Sequence, residues 1–327
     1  MSRKHLWVLP WCFSVGEALA EEFEISLPVS CQIGIECFVQ NYPDASPGVA
    51  AADYTCGAET YDGHSGTDIR LLSTGSSAAG TAVLASASGK VKAVRDGMPD
   101  QLQTINDSTQ GRECGNGVLI EHANGWDTQY CHLRSGSVAV SVGEYIARGK
   151  HIGSIGYSGS TEFAHIHFSV RKSGVDIDPF TGVELSRGCG LEADGALWDN
   201  TARRVLSYKA GEIIEVGFSG QPVDARMLET READTIEPAE KDGRALFFFG
   251  RAINLREGDR QELTLLGPRG KIAEFEVEPL GRNKAQYVAY VGKRSPPGGW
   301  PEGTYVGTVQ IFREGVELLS RASELKF

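Results

Sequence analysis

From Tyr61 to about Phe180 the chain is dense in glycine and β-branched residues, and a helical apolar period is nearly absent. Short runs recur at regular spacing: Ala82–Ala85, Gly89–Val94, Gly117–Glu121, Thr128–His132, Ser137–Val142, His151–Ile155 and His165–Val170. Turn pairs such as Ser88-Gly89, Asp96-Gly97 and Asn124-Gly125 separate them. Such a pattern specifies a compact all-β domain. Val118–His122 and Asp127–His132 read as the arms of a hairpin. The polar stretch Met98–Arg112 reads as a surface loop.

A second set of strand-like runs follows Cys189: Glu212–Phe218, Arg244–Phe249, Gln261–Leu266, Ala273–Val277, Gln286–Val291 and Tyr305–Phe312. Their spacing, with turns at Gly267-Pro268-Arg269-Gly270 and Pro296-Pro297-Gly298-Gly299, suggests a β-sandwich over residues 195–327. Residues 21–60, rich in prolines and small residues, read as an irregular lead-in, and residues 61–188 as the chemically active unit.

The first 20 residues read as a signal peptide. Arg3, Lys4 and His5 precede the apolar run Leu6–Val15, and Ala18-Leu19-Ala20 supplies a small-x-small cleavage pattern. That run is too short to span a bilayer, and no other stretch approaches about 20 apolar residues. Cys12 would leave with the leader, so six cysteines remain: Cys31, Cys37, Cys56, Cys114, Cys131 and Cys189. An even number in an exported chain reads as three disulfides, formed in the periplasm or outside the cell. Roughly 15 connectivities are open; Cys31–Cys37, Cys114–Cys131 and Cys56–Cys189 is one. The net charge of −11 argues against a nucleic-acid partner, because little is available to neutralise phosphates.

The six histidines after His5 all fall between His64 and His167. In Ala164-His165-Ile166-His167-Phe168 the two-residue strand period puts His165 and His167 on one face and Ile166 and Phe168 on the other. In Gly63-His64-Ser65-Gly66-Thr67-Asp68 the glycines disfavour a helix, so a turn entering a strand brings an imidazole and a carboxylate together. His64, Asp68 and His167 would form the two-imidazole, one-carboxylate set expected of catalytic zinc with an open fourth position. His132, in Gln129-Tyr130-Cys131-His132-Leu133, ends a hairpin strand and would stand uncoordinated beside the metal. His122 and His151 read as structural, Asp62 and Glu121 as surface charges, and Asn116 and Tyr61 as possible groove residues.

Taken together and in this order, these three segments resemble the lysostaphin-like zinc endopeptidases that cut peptidoglycan cross-links. That family carries H-x-x-x-D, then Tyr-x-His-Leu, then His-Leu-His-Phe; here they stand as His64–Asp68, Tyr130–Leu133 and His165–Phe168. The resemblance covers about residues 61–182 and stops before the sandwich. Ile166 replaces the family's leucine, and Phe163-Ala164 its Gly-Pro. The resemblance implies a small barrel-like β-sandwich of the duplicated hybrid motif type with an open groove. It implies one Zn2+ per chain on His64, Asp68 and His167, with His132 and His165 as uncoordinated catalytic histidines. The substrate it implies is the peptide of peptidoglycan. Two other roles are compatible with the family: a non-catalytic regulator of wall hydrolases, which elsewhere accompanies lost ligands, and a peptidase acting on glycine-rich proteins.

Overall fold

The computed structural model describes residues 23–103, 110–231 and 235–327. The expected leader over residues 1–20, with Cys12, lies outside them. The fold is all-β, with only short helices.

Its first part contains β1 (Cys37–Asn41), β2 (Thr67–Leu71), β3 (Ala82–Leu84), β4 (Gly89–Arg95), β5 (Asn116–Glu121), β6 (Trp126–Leu133), β7 (Tyr145–Ile146), β8 (His151–Ser154), β9 (His165–Lys172) and β10 (Val175–Ile177). The main sheet runs β1-β2-β9-β6-β5-β4-β7, with β10 added to β9, while β3 and β8 pair separately. Every pairing in it is antiparallel, so β2 and β6 flank β9 and present their side chains beside its own. Ile69, Val118, Ile120, Tyr130, Ile166 and Phe168 fill the core behind. The stretch Ser137–Val142 has strand composition but forms no ladder; Val140 is buried, and Ala139 donates one backbone bond to the Ile152 carbonyl. The lead-in is not wholly irregular, because β1 closes one edge of the main sheet.

Three disulfides, Cys31–Cys37, Cys56–Cys189 and Cys114–Cys131, all lie in this first part. Downstream of Cys189, Leu197, Trp198, Ala202 and Leu206 also pack into its core, carried by a segment that includes helix α2 (Asn200–Val205). Helix α1 (Thr74–Ala78) follows β2.

The rest comprises β11 (Glu212–Ser219), helix α3 (Ala225–Thr230), β12 (Ala245–Leu255), β13 (Arg260–Gly267), β14 (Gly270–Glu276), β15 (Lys284–Arg294), β16 (Thr304–Arg313) and β17 (Val316–Lys326). A three-stranded sheet, β11-β12-β15, packs on a four-stranded one, β14-β13-β16-β17. Leu246 and Phe248 from the first sheet meet Leu263, Leu265, Val309 and Ile311 from the second. The alternating burial of β13 and β16 is that of strands with one dry face.

The two parts are joined by a buried polar seam. Glu229 of α3 pairs with both Arg70 of β2 and Arg251 of β12. Arg251 also donates to the Leu72 carbonyl at 2.7 Å. Gln40 of β1 donates to the Asn254 side chain at 3.0 Å, and Asn254 donates back to the Gln40 carbonyl at 2.8 Å. Phe38, Ile214 and Ile253 form an apolar contact across the same seam.

Candidate metal and catalytic site

The antiparallel register of β2 and β9 sets Asp68 opposite His167 and Arg70 opposite His165. Residues directly opposite share a face, so one sheet face carries a carboxylate, a guanidinium and two imidazoles. His64 reaches the same point from the turn before β2. Asp44 holds that turn, accepting from the Gly63 amide at 3.0 Å and donating its own amide to the His64 carbonyl at 2.7 Å. Glycine is required at 66, because a Cβ there would sit 2.7 Å from the His167 ring and from the Phe168 carbonyl.

Three donor atoms converge. Asp68 Oδ1 lies 2.9 Å from His167 Nδ1 and 3.1 Å from His64 Nε2, and the two nitrogens are 3.1 Å apart. A tetrahedral ion with bonds of about 2.0–2.1 Å spaces its ligands about 3.3 Å apart, so the triangle matches one face of that polyhedron. The outer contacts leave these atoms free to bind. His64 Nδ1 donates to the Tyr42 carbonyl at 2.8 Å, which directs the lone pair to Nε2. Asn41 donates to Asp68 Oδ2 at 3.0 Å, leaving Oδ1 for the centre. Among the described residues this His-Asp-His set is the group able to hold a metal ion.

Two further histidines flank it. The β5–β6 register shifts between Asn116 and Val118, and His132 sits in that bulge with φ 62°. A left-handed conformation costs a non-glycine residue about 1–2 kcal/mol. Regular alternation would turn His132 away from Cys131, which pairs with His167. The bulge re-aims it instead, and its ring lies 4.5 Å from that of His165. His132 Nδ1 donates to the Ser158 carbonyl at 2.8 Å, and His165 Nδ1 to the Phe163 carbonyl at 2.9 Å. Each imidazole therefore keeps Nε2 as its basic nitrogen.

Electrostatics separates the two groups of histidines. Burial opposes charge on His64, but the Asp68 carboxylate outweighs it and raises the imidazole above its ordinary value. Burial likewise opposes charge on Asp68, yet its contacts with His64, His165 and His167 hold it well below the carboxylate range. Burial pushes His132 well below its ordinary value, with His165 and His167 adding to the effect. His165 is lowered by burial too, with Asp68 opposing. His132 and His165 are therefore neutral bases at neutral pH.

Asp68, His132 and His165 line a cleft of about 710 Å³, with Tyr61 and Phe163 on its wall. Phe163, where this chain departs from the family pattern, lies 4.4 Å from the His165 ring and receives the Arg70 guanidinium at 4.7 Å. Asn116 is buried outside the cleft lining, bonded to the Met98 and Leu133 carbonyls at 2.8 and 3.1 Å. His122 is buried between the Ser88 carbonyl and Thr128, and His151 is exposed. The stretch read as a surface loop contributes Leu102 and Gln103 to the cleft. Asn41, Tyr42, Ser158 and the α3 residues of the wall carry no local motif, and only folding brings them to the site.

Known proteins match part of this chain. Cell division protein DipM of Caulobacter vibrioides is 32% identical over 92 residues, which is 28% of this chain and 13% of that protein. Peptidoglycan DD-endopeptidase ShyC of Vibrio cholerae is 32% identical over 87 residues, 27% of this chain and 19% of that one. The matched stretch thus spans less than a fifth of either curated relative. Among solved structures, the catalytic domain of lysostaphin from Staphylococcus simulans aligns with a TM-score of 0.27 and 24% identity, over 36% of this chain and 75% of that chain. The profile of Peptidase family M23 matches residues 62–179, a span that contains the convergent His-Asp-His set and both flanking histidines. The likeness to Peptidase family M23 thus falls on the stretch that forms the candidate site.

Proposed function

We propose that this protein is an exported zinc metalloendopeptidase that hydrolyses peptide cross-links of peptidoglycan. The observation that carries the reading is the convergence of His64 Nε2, Asp68 Oδ1 and His167 Nδ1 beside two neutral histidines in one open cleft. His64, Asp68 and His167 hold the metal. A zinc ion held there would supply Lewis-acid chemistry to the scissile carbonyl and lower the pKa of a water. His132 and His165 manage the protons: one accepts through Nε2 and passes the proton to the leaving amine, and the other steadies the developing oxyanion. Arg70, Phe163 and the Phe163 carbonyl fix the His165 ring. The substrate class is supported by relatives such as Peptidoglycan DD-endopeptidase ShyC. Export is supported by three disulfides, which form in oxidising compartments.

The test is zinc content together with mass spectrometry of fragments released from purified sacculi. About one zinc per chain and new peptide termini are expected. His64→Ala, Asp68→Ala and His167→Ala should lose both metal and activity. His132→Ala and His165→Ala should keep the metal and lose about 10²–10⁴ in rate. Metal-free protein that leaves sacculi intact would end this reading.

A further inference from the structure

The cleft has two walls of different origin. One is the metal-bearing sheet with the loop before β9. The other is the C-terminal sandwich, which contributes Arg226 and Thr230 of α3 and Ala285 and Gln286 of β15. This wall is held in place from below. Glu229 on the same helix turn is buried between Arg70 and Arg251, and Thr74 Oγ1 donates to the Thr230 carbonyl at 3.0 Å. Asp224 caps the helix through the Met227 amide at 2.8 Å. Moving α3 off the cleft would strand charges that have no water to turn to.

Charge on that wall is uneven. Arg70 and Arg251 are engaged by Glu229, and Arg231 by Glu215. Arg226 is different: it is exposed, lines the cleft, and has no acidic partner among the described residues. Glu162, on the loop before β9, also lines the cleft; it is exposed and likewise without an ion pair among the described residues. A peptide entering the cleft thus meets an unpaired cation supplied by the sandwich and an unpaired anion supplied by the catalytic sheet. The planar guanidinium is suited to a carboxylate, which it can grip through two parallel hydrogen bonds.

We infer that the C-terminal sandwich is part of the substrate site, and that Arg226 selects peptides carrying a free carboxylate close to the scissile bond. Glu162 disfavours the same carboxylate on the opposite wall, so the pair sets the direction in which the peptide lies. This inference rests on the endopeptidase reading for its substrate class but not for its recognition chemistry.

The experiment uses the full-length protein and two synthetic cross-linked stem peptides, identical except that one has every carboxylate converted to carboxamide. Cleavage is followed as kcat/KM, and binding by calorimetry in the slow-cleaving His132→Ala background. Wild type should prefer the carboxylate peptide by about tenfold, the scale of one charge-assisted contact at a solvated site. Arg226→Gln should bring the two peptides close to parity, with the larger loss on the carboxylate peptide, and Arg226→Lys should restore part of the preference. Glu162→Gln should strengthen binding of the carboxylate peptide. Equal handling of the two peptides by wild type, or an equal loss on both in Arg226→Gln, would overturn the role of Arg226. An Arg226-dependent binding preference without cleavage of either peptide would leave this inference standing and remove the endopeptidase reading.

Discussion

The sheet that carries the histidines and the sandwich that follows it are both antiparallel, yet they bury different things. In the sandwich, β13 and β16 alternate dry and wet faces, and a buried charge such as Asp259 is paired, with Arg313 at 2.7 Å. The first part buries His64, Asp68, His132 and His165 beside a cleft, and holds His132 in a left-handed bulge. Polar side chains turned toward a cleft contribute little hydrophobic stabilisation and cost free energy to desolvate. All three disulfides lie in that part. The candidate site and the disulfides occupy the same region, while the sandwich is held by apolar packing and paired charges.

That contrast can be broken most forcefully at Cys56–Cys189, which closes a separation of 133 residues. Replacing both cysteines with alanine should cost about 3–5 kcal/mol. Hydrogen exchange should quicken in β2 and β9 and stay unchanged in β12; equal acceleration in both parts would show that they unfold as one unit. A similar or slightly smaller loss, about 3–5 kcal/mol, is expected from Glu229→Ala, which leaves Arg70 and Arg251 buried without their shared partner. Because the seam is common to both parts, thermal unfolding should fall in each. A drop confined to the sandwich would mean that the seam does not support the histidine-bearing sheet.

The smallest effect sharpens the contrast through pH. Asp178 is buried, accepts the Phe180 amide at 2.8 Å, and has one oxygen without a partner among the described residues. Burial pushes its carboxyl up from 3.8 to about 7. Between those values the unfolded chain has released the proton while the folded chain keeps it. This group's contribution to stability therefore falls as pH rises through the window and is constant above it, by at most about 4 kcal/mol. Denaturant midpoints at several pH values should show Asp178→Asn gaining on wild type from pH 4 to pH 7; parallel profiles would place the proton elsewhere.

What could be read in advance was whatever is local. The alternation that puts His165 and His167 on one face is a property of five consecutive residues, and the His64–Asp68 turn of five more. The parts that escaped are joined across long stretches of chain. Asn41 meets Asp68 from 27 residues away, and Glu229 meets Arg70 across 159. Helices α1 and α3, of five and six residues, are too short to display a 3.6-residue period. Ser137–Val142 has the composition of a strand, but among the described residues it forms no ladder, only a backbone bond from Ala139 to Ile152. The bulge that turns His132 inward depends on how β5 and β6 are matched, which composition does not specify.

Strand β2 has one more consequence. Asp68, at the candidate metal centre, and Arg70, which grips the sandwich, stand two residues apart on the same strand face. A slip of β2 by a single residue would turn both to the other side at once. A chain with the wrong pairing could neither assemble the centre nor accept its sandwich. Docking of the two halves thus inspects the register on which the centre depends, and a miswoven copy is left visibly unfinished rather than quietly inactive.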